Sequence, residues 1–171
     1  MTDARAIVVM GVSGCGKTSV AEGLAAALPA AFIEGDSLHP AANVEKMSRG
    51  IPLADEDRRS WLDTIGRALS AALADGNSIV VSCSALKKAY RDRLREAAGG
   101  SLAFVFLKGS RALLMSRMAA RQGHFMPVSL LDSQLATLED PSAEPGVVTV
   151  DIDAAIERIV AAALSGLAAK P

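Results

Sequence analysis

Hydrophobic residues follow two alternating patterns along this chain. Short runs of adjacent apolar residues are separated by longer segments in which apolar residues recur every three or four positions, and these patterns are typical of buried strands and amphipathic helices. We therefore predict an α/β fold, a three-layer αβα sandwich of about five parallel strands, with ligands at the carboxyl ends of the strands. The predicted strands are Ala6–Met10, Ala31–Glu34, 78–83, 102–107 and Val147–Asp151.

The segments between the strands contain helices and one long polar stretch. The third helix follows Ser84, a residue type that is common at helix N-caps. The stretch over about residues 36–60 is polar and longer than an ordinary connection, so we expect it to bind a substrate. The predicted helices are 17–28, 61–73, 85–98 and 111–121.

The composition is that of a globular chain with almost no net charge. Of 171 residues, 50% are hydrophobic and 22% are charged, which excludes disorder throughout and fits a single domain over residues 1–171. A formal net charge of −1 and 4% aromatic residues argue against a nucleic-acid surface, and no apolar run is long enough to cross a membrane. Because the chain has almost no net charge, we expect a small-molecule partner. Two cysteines cannot form a disulfide framework, so we expect a cytoplasmic location.

A phosphate-binding motif lies between the first predicted strand and the first predicted helix. Residues 11–18 read GVSGCGKT and match GxxxxGK[ST]. Such a loop surrounds phosphate oxygens with backbone N–H groups, while Lys17 supplies a positive charge and Thr18 can ligate Mg²⁺. We expect Cys15 to contribute its backbone N–H rather than a reactive thiol. The candidate ATP-binding residues are Gly11, Val12, Ser13, Gly14, Cys15, Gly16, Lys17, Thr18, Ser19 and Arg117.

Among the proteins that carry this motif, a small-molecule kinase fits the chain best. The guanine-reading NKxD motif of GTPases is absent, and the chain is too short for the large motor and transporter ATPases. Glu34 and Asp36 lie two residues apart at a strand end, and so on the same side of the extended chain. We expect Asp36 to orient an acceptor hydroxyl and Glu34 to join Thr18 at the metal. The alternative is that both carboxylates merely solvate a loop.

Several sequence blocks, in this order, resemble one kinase family. They are GDSLHP at residues 35–40, SCSALKK at 82–88, GHFMP at 123–127 and LLDSQ at 130–134. Together they resemble the gluconokinase family of short P-loop sugar-acid kinases. The resemblance implies ATP-dependent phosphorylation of D-gluconate on its 6-hydroxyl, giving 6-phospho-D-gluconate and ADP. It also implies Mg²⁺, a homodimer, and a fold similar to those of shikimate and nucleoside monophosphate kinases.

Gluconate carries a carboxylate, so its site needs a cation. Lys87 and Arg91 lie four residues apart on one face of a predicted helix and can grip that carboxylate, or can form a solvated basic stripe. Arg58, within an acidic run, is either a substrate clamp or an ion-pair partner.

Gluconate also carries several hydroxyl groups, which need hydrogen-bonding partners. His39 and His124 lie in the matched blocks, and we expect each to bind a substrate hydroxyl. The resemblance adds Lys46, Ser84 and Gln134 as substrate-binding candidates.

Residues of about 117–134 resemble the lid of related kinases. Arg117 and Arg121 lie four residues apart there, and Arg121 is predicted to stabilise the transferring phosphoryl group as a catalytic residue with Lys17 and Asp36. The alternative is that the two arginines form a solvated helix end.

Two other functions remain open for the chain as a whole. One is a P-loop kinase of another small polyol or acid, such as shikimate, or of a nucleotide. The other is a non-enzymatic switch that binds ATP to change its affinity for a partner.

Overall fold

The computed structural model describes residues 4–120 and 128–169. Five strands form one sheet in the order β2-β3-β1-β4-β5, and every pair of neighbouring strands is parallel. The predicted α/β sandwich with five parallel strands is therefore confirmed, with strand ends that shift by one residue at most. The strands are β1 Ala6–Met10, β2 Ala31–Glu34, β3 Ile79–Ser82, β4 Leu102–Lys108 and β5 Val147–Asp151.

Helices cover both faces of this sheet. On β1, Ile7 and Val9 point into the core on one face, while Val8 and Met10 point into the core on the other, because successive side chains of a strand point to opposite faces. The first core receives side chains from α1 and α7, and the second from α3 and α4. The helices are α1 Lys17–Ala27, α2 Ala41–Ser48, α3 Asp55–Ala74, α4 Lys88–Ala97, α5 Arg111–Ala120, α6 Val128–Thr137 and α7 Ile156–Ala169.

Helix α3 begins six residues before the predicted start at residue 61. Its first turn carries three carboxylates, which suit the positive end of a helix, and the Asp57 carboxylate accepts a hydrogen bond from the N–H of Ala54 at 2.8 Å. The apolar spacing begins only at Trp61. The prediction followed that spacing and so missed the charged start of the helix.

Helix α4 begins at Lys88, so the predicted start at residue 85 and the predicted N-cap at Ser84 are wrong. Ala85 has a φ of +46°, a left-handed conformation, and Lys87 is extended, so the chain before Lys88 is not helical. A distant side chain supplies the capping acceptor, because the N–H of Lys88 donates to Glu139 Oε1 at 2.8 Å.

The polar stretch 36–60 contains more regular structure than its sequence pattern indicated. It begins in a 3₁₀ turn at Gly35–Leu38, continues through α2, and ends in the first turns of α3. Within the described residues no helix is both long and apolar enough to span a membrane.

The packing of α3 against α4 gives a testable prediction about stability. A Cβ atom built on Gly66 of α3 would lie 2.7 Å from the Cβ of Ala97 on α4. We expect Gly66→Ala to lower the free energy of unfolding by about 1–3 kcal/mol through overpacking, despite the higher helix propensity of alanine. Urea denaturation measures this change.

The exchanged pair Gly66→Ala with Ala97→Gly is the matched control. It restores the space between the helices and should recover most of the lost stability. A single Gly66→Ala variant as stable as the original chain would contradict this close packing.

Candidate active site

The phosphate loop, residues 11–18, joins β1 to α1 in the conformation that its glycines permit. Gly14 and Gly16 have φ values of +86° and +89°, which glycine adopts without a steric penalty. Gly16 is the N-cap of α1, and no side chain caps the helix there. The first N–H groups of α1 therefore face the interior of the loop, where a phosphate can bind them.

Two side chains of the loop have distinct positions. Lys17 Nζ donates to the carbonyl oxygens of Gly11 at 3.1 Å and Val12 at 3.3 Å, so the ammonium group already lies against the loop. Cys15 is buried, and its Sγ would be 2.7 Å from a Cβ atom on Gly11. This burial supports a packing role for the thiol, while the backbone N–H of Cys15 donates to the carbonyl of Val12 at 3.3 Å.

The Glu34 carboxylate joins three elements at the carboxyl edge of the sheet. Thr18 Oγ1 donates to Glu34 Oε2 at 2.6 Å, and Ser82 Oγ donates to Glu34 Oε1 at 2.7 Å. The structure thus brings together the two predicted metal-binding residues, Thr18 and Glu34. It adds Ser82, which sequence reasoning missed. The signal in the sequence was a hydroxyl residue at the end of an otherwise apolar strand.

The oxygen donors of Thr18 and Glu34 suit Mg²⁺, which prefers hard oxygen ligands and usually keeps several waters and phosphate oxygens. Within residues 4–120 and 128–169 no three His, Cys, Asp or Glu side chains form a metal-binding group. A magnesium ion held here would therefore depend on ATP for part of its coordination.

Asp36 lies in the 3₁₀ turn directly after β2. Its carboxylate is exposed and forms no hydrogen bond or ion pair with the described residues. The turn lies tightly against β3, because a Cβ atom on Gly35 would be 2.1 Å from the carbonyl oxygen of Ser82. The lack of a side chain at Gly35 thus places Asp36 beside the strand end that carries Ser82.

The His39 ring is held by a stacking contact and a hydrogen bond. The ring stacks on Trp61, with centroids 4.1 Å apart and planes 14° from parallel. Asn43 Nδ2 donates to the carbonyl of Asp57 at 2.9 Å and contacts His39 Nδ1 at 3.2 Å, so we assign the ring proton to Nε2. Burial lowers the pKa of His39. The Nε2–H, which has no partner in the part of the chain that the structure describes, can donate to a substrate hydroxyl.

Two of the candidate cations are already paired with carboxylates. Lys46 Nζ binds both oxygens of Asp57 at 2.9 Å. Lys87 Nζ lies 3.1 Å from Asp55 Oδ1, and Asp55 also accepts a hydrogen bond from Tyr90. Hydrogen bonds from Tyr90 and Lys87 lower the pKa of Asp55, so this carboxylate stays ionised and holds Lys87.

Arg58 differs from the other candidate cations. Its guanidinium lies 5.6 Å from the centroid of the Tyr90 ring, and in the described part of the chain it has no ion-pair partner. Its charge also contributes to lowering the pKa values of Asp55, Asp57 and His39, after larger effects of hydrogen bonds or burial. Within residues 4–120 and 128–169, Arg58 thus lies among these groups without forming an ion pair of its own.

The predicted substrate role of Arg91 is wrong. Its side chain is 0% exposed and binds Glu144 through Nη2 at 2.6 Å and Nε at 3.0 Å. Nη1 donates to the carbonyl of Ala85 at 2.7 Å, and Nη2 also donates to that of Glu139 at 2.8 Å. A buried guanidinium with all these bonds cannot turn towards a substrate. Nor is Arg91 part of a solvated stripe.

Arg117 holds the loop between β5 and α7, and its predicted role in ATP binding stays a prediction. Its guanidinium donates to the carbonyl oxygens of Ile152 and Ala154, in the loop between β5 and α7. Because these bonds hold the Arg117 side chain against that loop, the alternative that Arg117 forms a solvated helix end is wrong. Arg121 and His124, the other predicted residues of this region, lie outside the described residues.

Three further candidates lie around the phosphate loop. Ser19 is exposed in the first turn of α1. The backbone carbonyl of Ser84 accepts a long hydrogen bond of 3.4 Å from the N–H of Gly11. Gln134 Oε1 accepts a hydrogen bond of 2.6 Å from the N–H of Ser13. Gln134, predicted to bind the acceptor, therefore contacts the ATP-binding loop.

Comparison with known proteins gives a consistent relationship. A family model described as an AAA domain matches residues 7–141. The thermoresistant gluconokinase of Escherichia coli (strain K12) is 45% identical over 163 residues, which cover 95% of this chain and 93% of that protein. The gluconokinase of Gluconobacter oxydans is 52% identical over 148 residues, with 85% and 82% covered.

A solved structure extends this relationship to the fold. The crystal structure of a gluconokinase from Sinorhizobium meliloti 1021 matches with a TM-score of 0.89 and 56% identity, covering 99% of this chain and 94% of that one. Identity at this level over nearly the whole of both chains confirms the resemblance given by the sequence blocks. This chain belongs to the gluconokinase family.

Proposed function

We propose that this protein is a gluconokinase that transfers the γ-phosphoryl group of ATP to the 6-hydroxyl of D-gluconate. The products are 6-phospho-D-gluconate and ADP. The observation that carries the proposal is the meeting of the phosphate loop, the Thr18–Glu34 pair and the unpaired Asp36 at one edge of the sheet. The gluconokinase relatives supply the identity of the acceptor.

The phosphate side of the site needs little rearrangement. The N–H groups at the start of α1 bind the β-phosphate, and Lys17 turns from the loop carbonyls to the β- and γ-phosphates. Thr18 and Glu34 would hold Mg²⁺, which would neutralise phosphate charge when bound with ATP. Ser82 keeps the Glu34 carboxylate in place through its hydrogen bond.

Asp36 acts on the acceptor hydroxyl. An exposed carboxylate without a partner among the described residues can accept the hydroxyl proton and orient the oxygen for in-line attack. As the new oxygen–phosphorus bond forms, the bond between the γ-phosphorus and the β,γ-bridging oxygen breaks. Direct transfer of this kind needs no covalent enzyme intermediate.

We assign the gluconate carboxylate to Arg58. Lys46 and Lys87 are neutralised by Asp57 and Asp55, and Arg91 is buried. Arg58 lies half-buried beside Tyr90 and forms no ion pair with the described residues. A planar guanidinium can bind a carboxylate through two parallel hydrogen bonds.

The acceptor is tested by ADP production from Mg·ATP with D-gluconate, shikimate and nucleoside monophosphates in parallel. We expect strong stimulation by gluconate alone. Stimulation by another acceptor would contradict the substrate but keep the kinase. ATP binding without any acceptor-dependent turnover would favour the nucleotide switch.

The role of Asp36 is tested with Asp36→Asn. We expect kcat to fall by about 10²–10⁴-fold because the hydroxyl loses its proton acceptor, while the Kd for ATP changes by less than about threefold, since no phosphate-binding group is removed. Steady-state kinetics and calorimetric ATP titration measure the two effects.

The exposed Asp75 at the end of α3 provides a matched control, because Asp75→Asn removes the same charge far along the helix from the site. A kcat for Asp36→Asn within threefold of the original value would exclude Asp36 as the hydroxyl partner.

The role of Arg58 is tested with Arg58→Gln. We expect the KM for gluconate to rise by about 10–100-fold, the effect of losing hydrogen bonds to a charged group, while the KM for ATP stays nearly constant. D-Glucitol, which has a hydroxyl in place of the carboxylate, should be used equally poorly by both proteins.

Arg59→Gln is the matched control, since Arg59 is the exposed neighbour of Arg58 on α3. An equal loss in both arginine variants would indicate a general charge effect and contradict the assignment. The family resemblance further predicts a homodimer, which sedimentation equilibrium tests.

A further inference from the structure

The end of helix α6 and the residues just after it contact the phosphate loop and the chain between β3 and α4. At one point Gln134 Oε1 accepts a hydrogen bond of 2.6 Å from the N–H of Ser13 in the phosphate loop. At another, Glu139 binds the chain before and at the start of α4. The N–H of Glu139 donates to the carbonyl of Leu86 at 2.8 Å, and Glu139 Oε1 accepts from the N–H of Lys88 at 2.8 Å.

These two contacts belong to one short, anchored piece of backbone. Leu131 of α6 is completely buried in the core, and the N–H of Leu138 donates to the carbonyl of Gln134 at 2.8 Å. The last turn of α6 thus links Gln134 to Glu139 through continuous backbone, so a shift of the Gln134 backbone would also move Glu139.

The bond at Ser13 competes with a phosphate. A backbone N–H is a single donor, and Gln134 Oε1 already occupies it at a short distance. The N–H of Ser13 lies upstream of the N–H groups that open α1, in the same phosphate loop. A γ-phosphate oxygen that took this donor would displace the Gln134 carbonyl oxygen from it, whereas ADP has no phosphate to do so.

The contacts of Glu139 support the loop that carries Lys87. We call residues 83–87, between β3 and α4, the acceptor loop. It holds Ala85 at a φ of +46°, a conformation that needs support from its surroundings. That support comes from Arg91 at the Ala85 carbonyl and from Glu139 at the Leu86 carbonyl. Lys87 in turn binds Asp55, next to the Tyr90 ring on which Arg58 lies.

We propose that Gln134 is a positioning residue that couples ATP binding to acceptor binding, by exchanging its hydrogen bond at Ser13 when the γ-phosphate arrives and moving Glu139 and the acceptor loop with it. The inference rests on the proposed function for the identity of the acceptor. The form in which the γ-phosphate has replaced Gln134 at Ser13 binds gluconate more tightly. By thermodynamic linkage, gluconate raises the affinity for ATP by the same factor.

Calorimetric titration of D-gluconate tests the coupling with three forms of the protein: free, with Mg·AMPPNP, and with Mg·ADP. AMPPNP is an ATP analogue that keeps the γ-phosphate. We expect AMPPNP to lower the Kd for gluconate by about 5–10-fold and ADP to change it by less than about twofold. In Gln134→Leu the effect of AMPPNP should fall to less than about twofold.

A second measurement separates this role from simple structural support. Because Gln134→Leu removes the competitor for the Ser13 N–H, it should bind AMPPNP more tightly than the original chain, by about 2–5-fold. Gln134→Glu keeps the acceptor and adds a negative charge, so it should bind AMPPNP at least about tenfold more weakly. A side chain needed only for folding would weaken AMPPNP binding in both variants.

Ser133→Ala, at the exposed neighbour of Gln134 on α6, is the matched control and should keep the full coupling. Equal effects of ADP and AMPPNP on the original chain, or undiminished coupling in Gln134→Leu, would overturn the proposal. If gluconate binds to none of the three forms, the proposed substrate has failed. The role of Gln134 is then tested by the affinity of Gln134→Leu for AMPPNP alone. An affinity equal to or weaker than that of the original chain rejects this role.

Discussion

The site depends on one carboxylate, that of Glu34, which accepts hydrogen bonds from Thr18 on α1 and Ser82 on β3. In the sheet, β3 lies between β2 and β1, so the strand that carries Glu34 does not touch the strand that leads into the phosphate loop. The carboxylate bridges that separation at the strand ends. The close approach of Gly35 to the Ser82 carbonyl then places Asp36 at the same edge.

Pairing of charges divides the basic residues into two groups. Arg91 and Arg95 bind Glu144 in a largely buried cluster, and the bond from Arg91 is the main reason that the pKa of Glu144 is lowered. Loss of either partner would leave an uncompensated charge inside the protein, so this cluster maintains the fold. Arg58 has no such partner within the described residues, which is why the proposed carboxylate site is assigned to it.

The functional loops are held by side chains from distant parts of the chain instead of by regular secondary structure. Met118 of α5 lies against Gly14, where a Cβ atom would be 2.8 Å from its Cγ. Arg91 and Glu139 hold the acceptor loop, and Gln134 contacts the phosphate loop. Gln134 on α6 and Glu139, just after α6, contact one loop each, so binding events on the two sides need not be independent.

The sequence by itself determined the parallel sheet, the phosphate loop and the pair of Glu34 and Asp36, because apolar periodicity and strand-end motifs are local properties of the chain. Only the tertiary structure decided that Arg91 is internal, that α4 starts at Lys88, and that Gln134 contacts Ser13. Arg91 and Glu144 are 53 residues apart in sequence, and Ser13 and Gln134 are 121 apart. The sequence pattern of a basic residue at helical spacing does not show whether its side chain faces water or a buried carboxylate. The packing of elements that are distant in sequence determines which of the two it contacts.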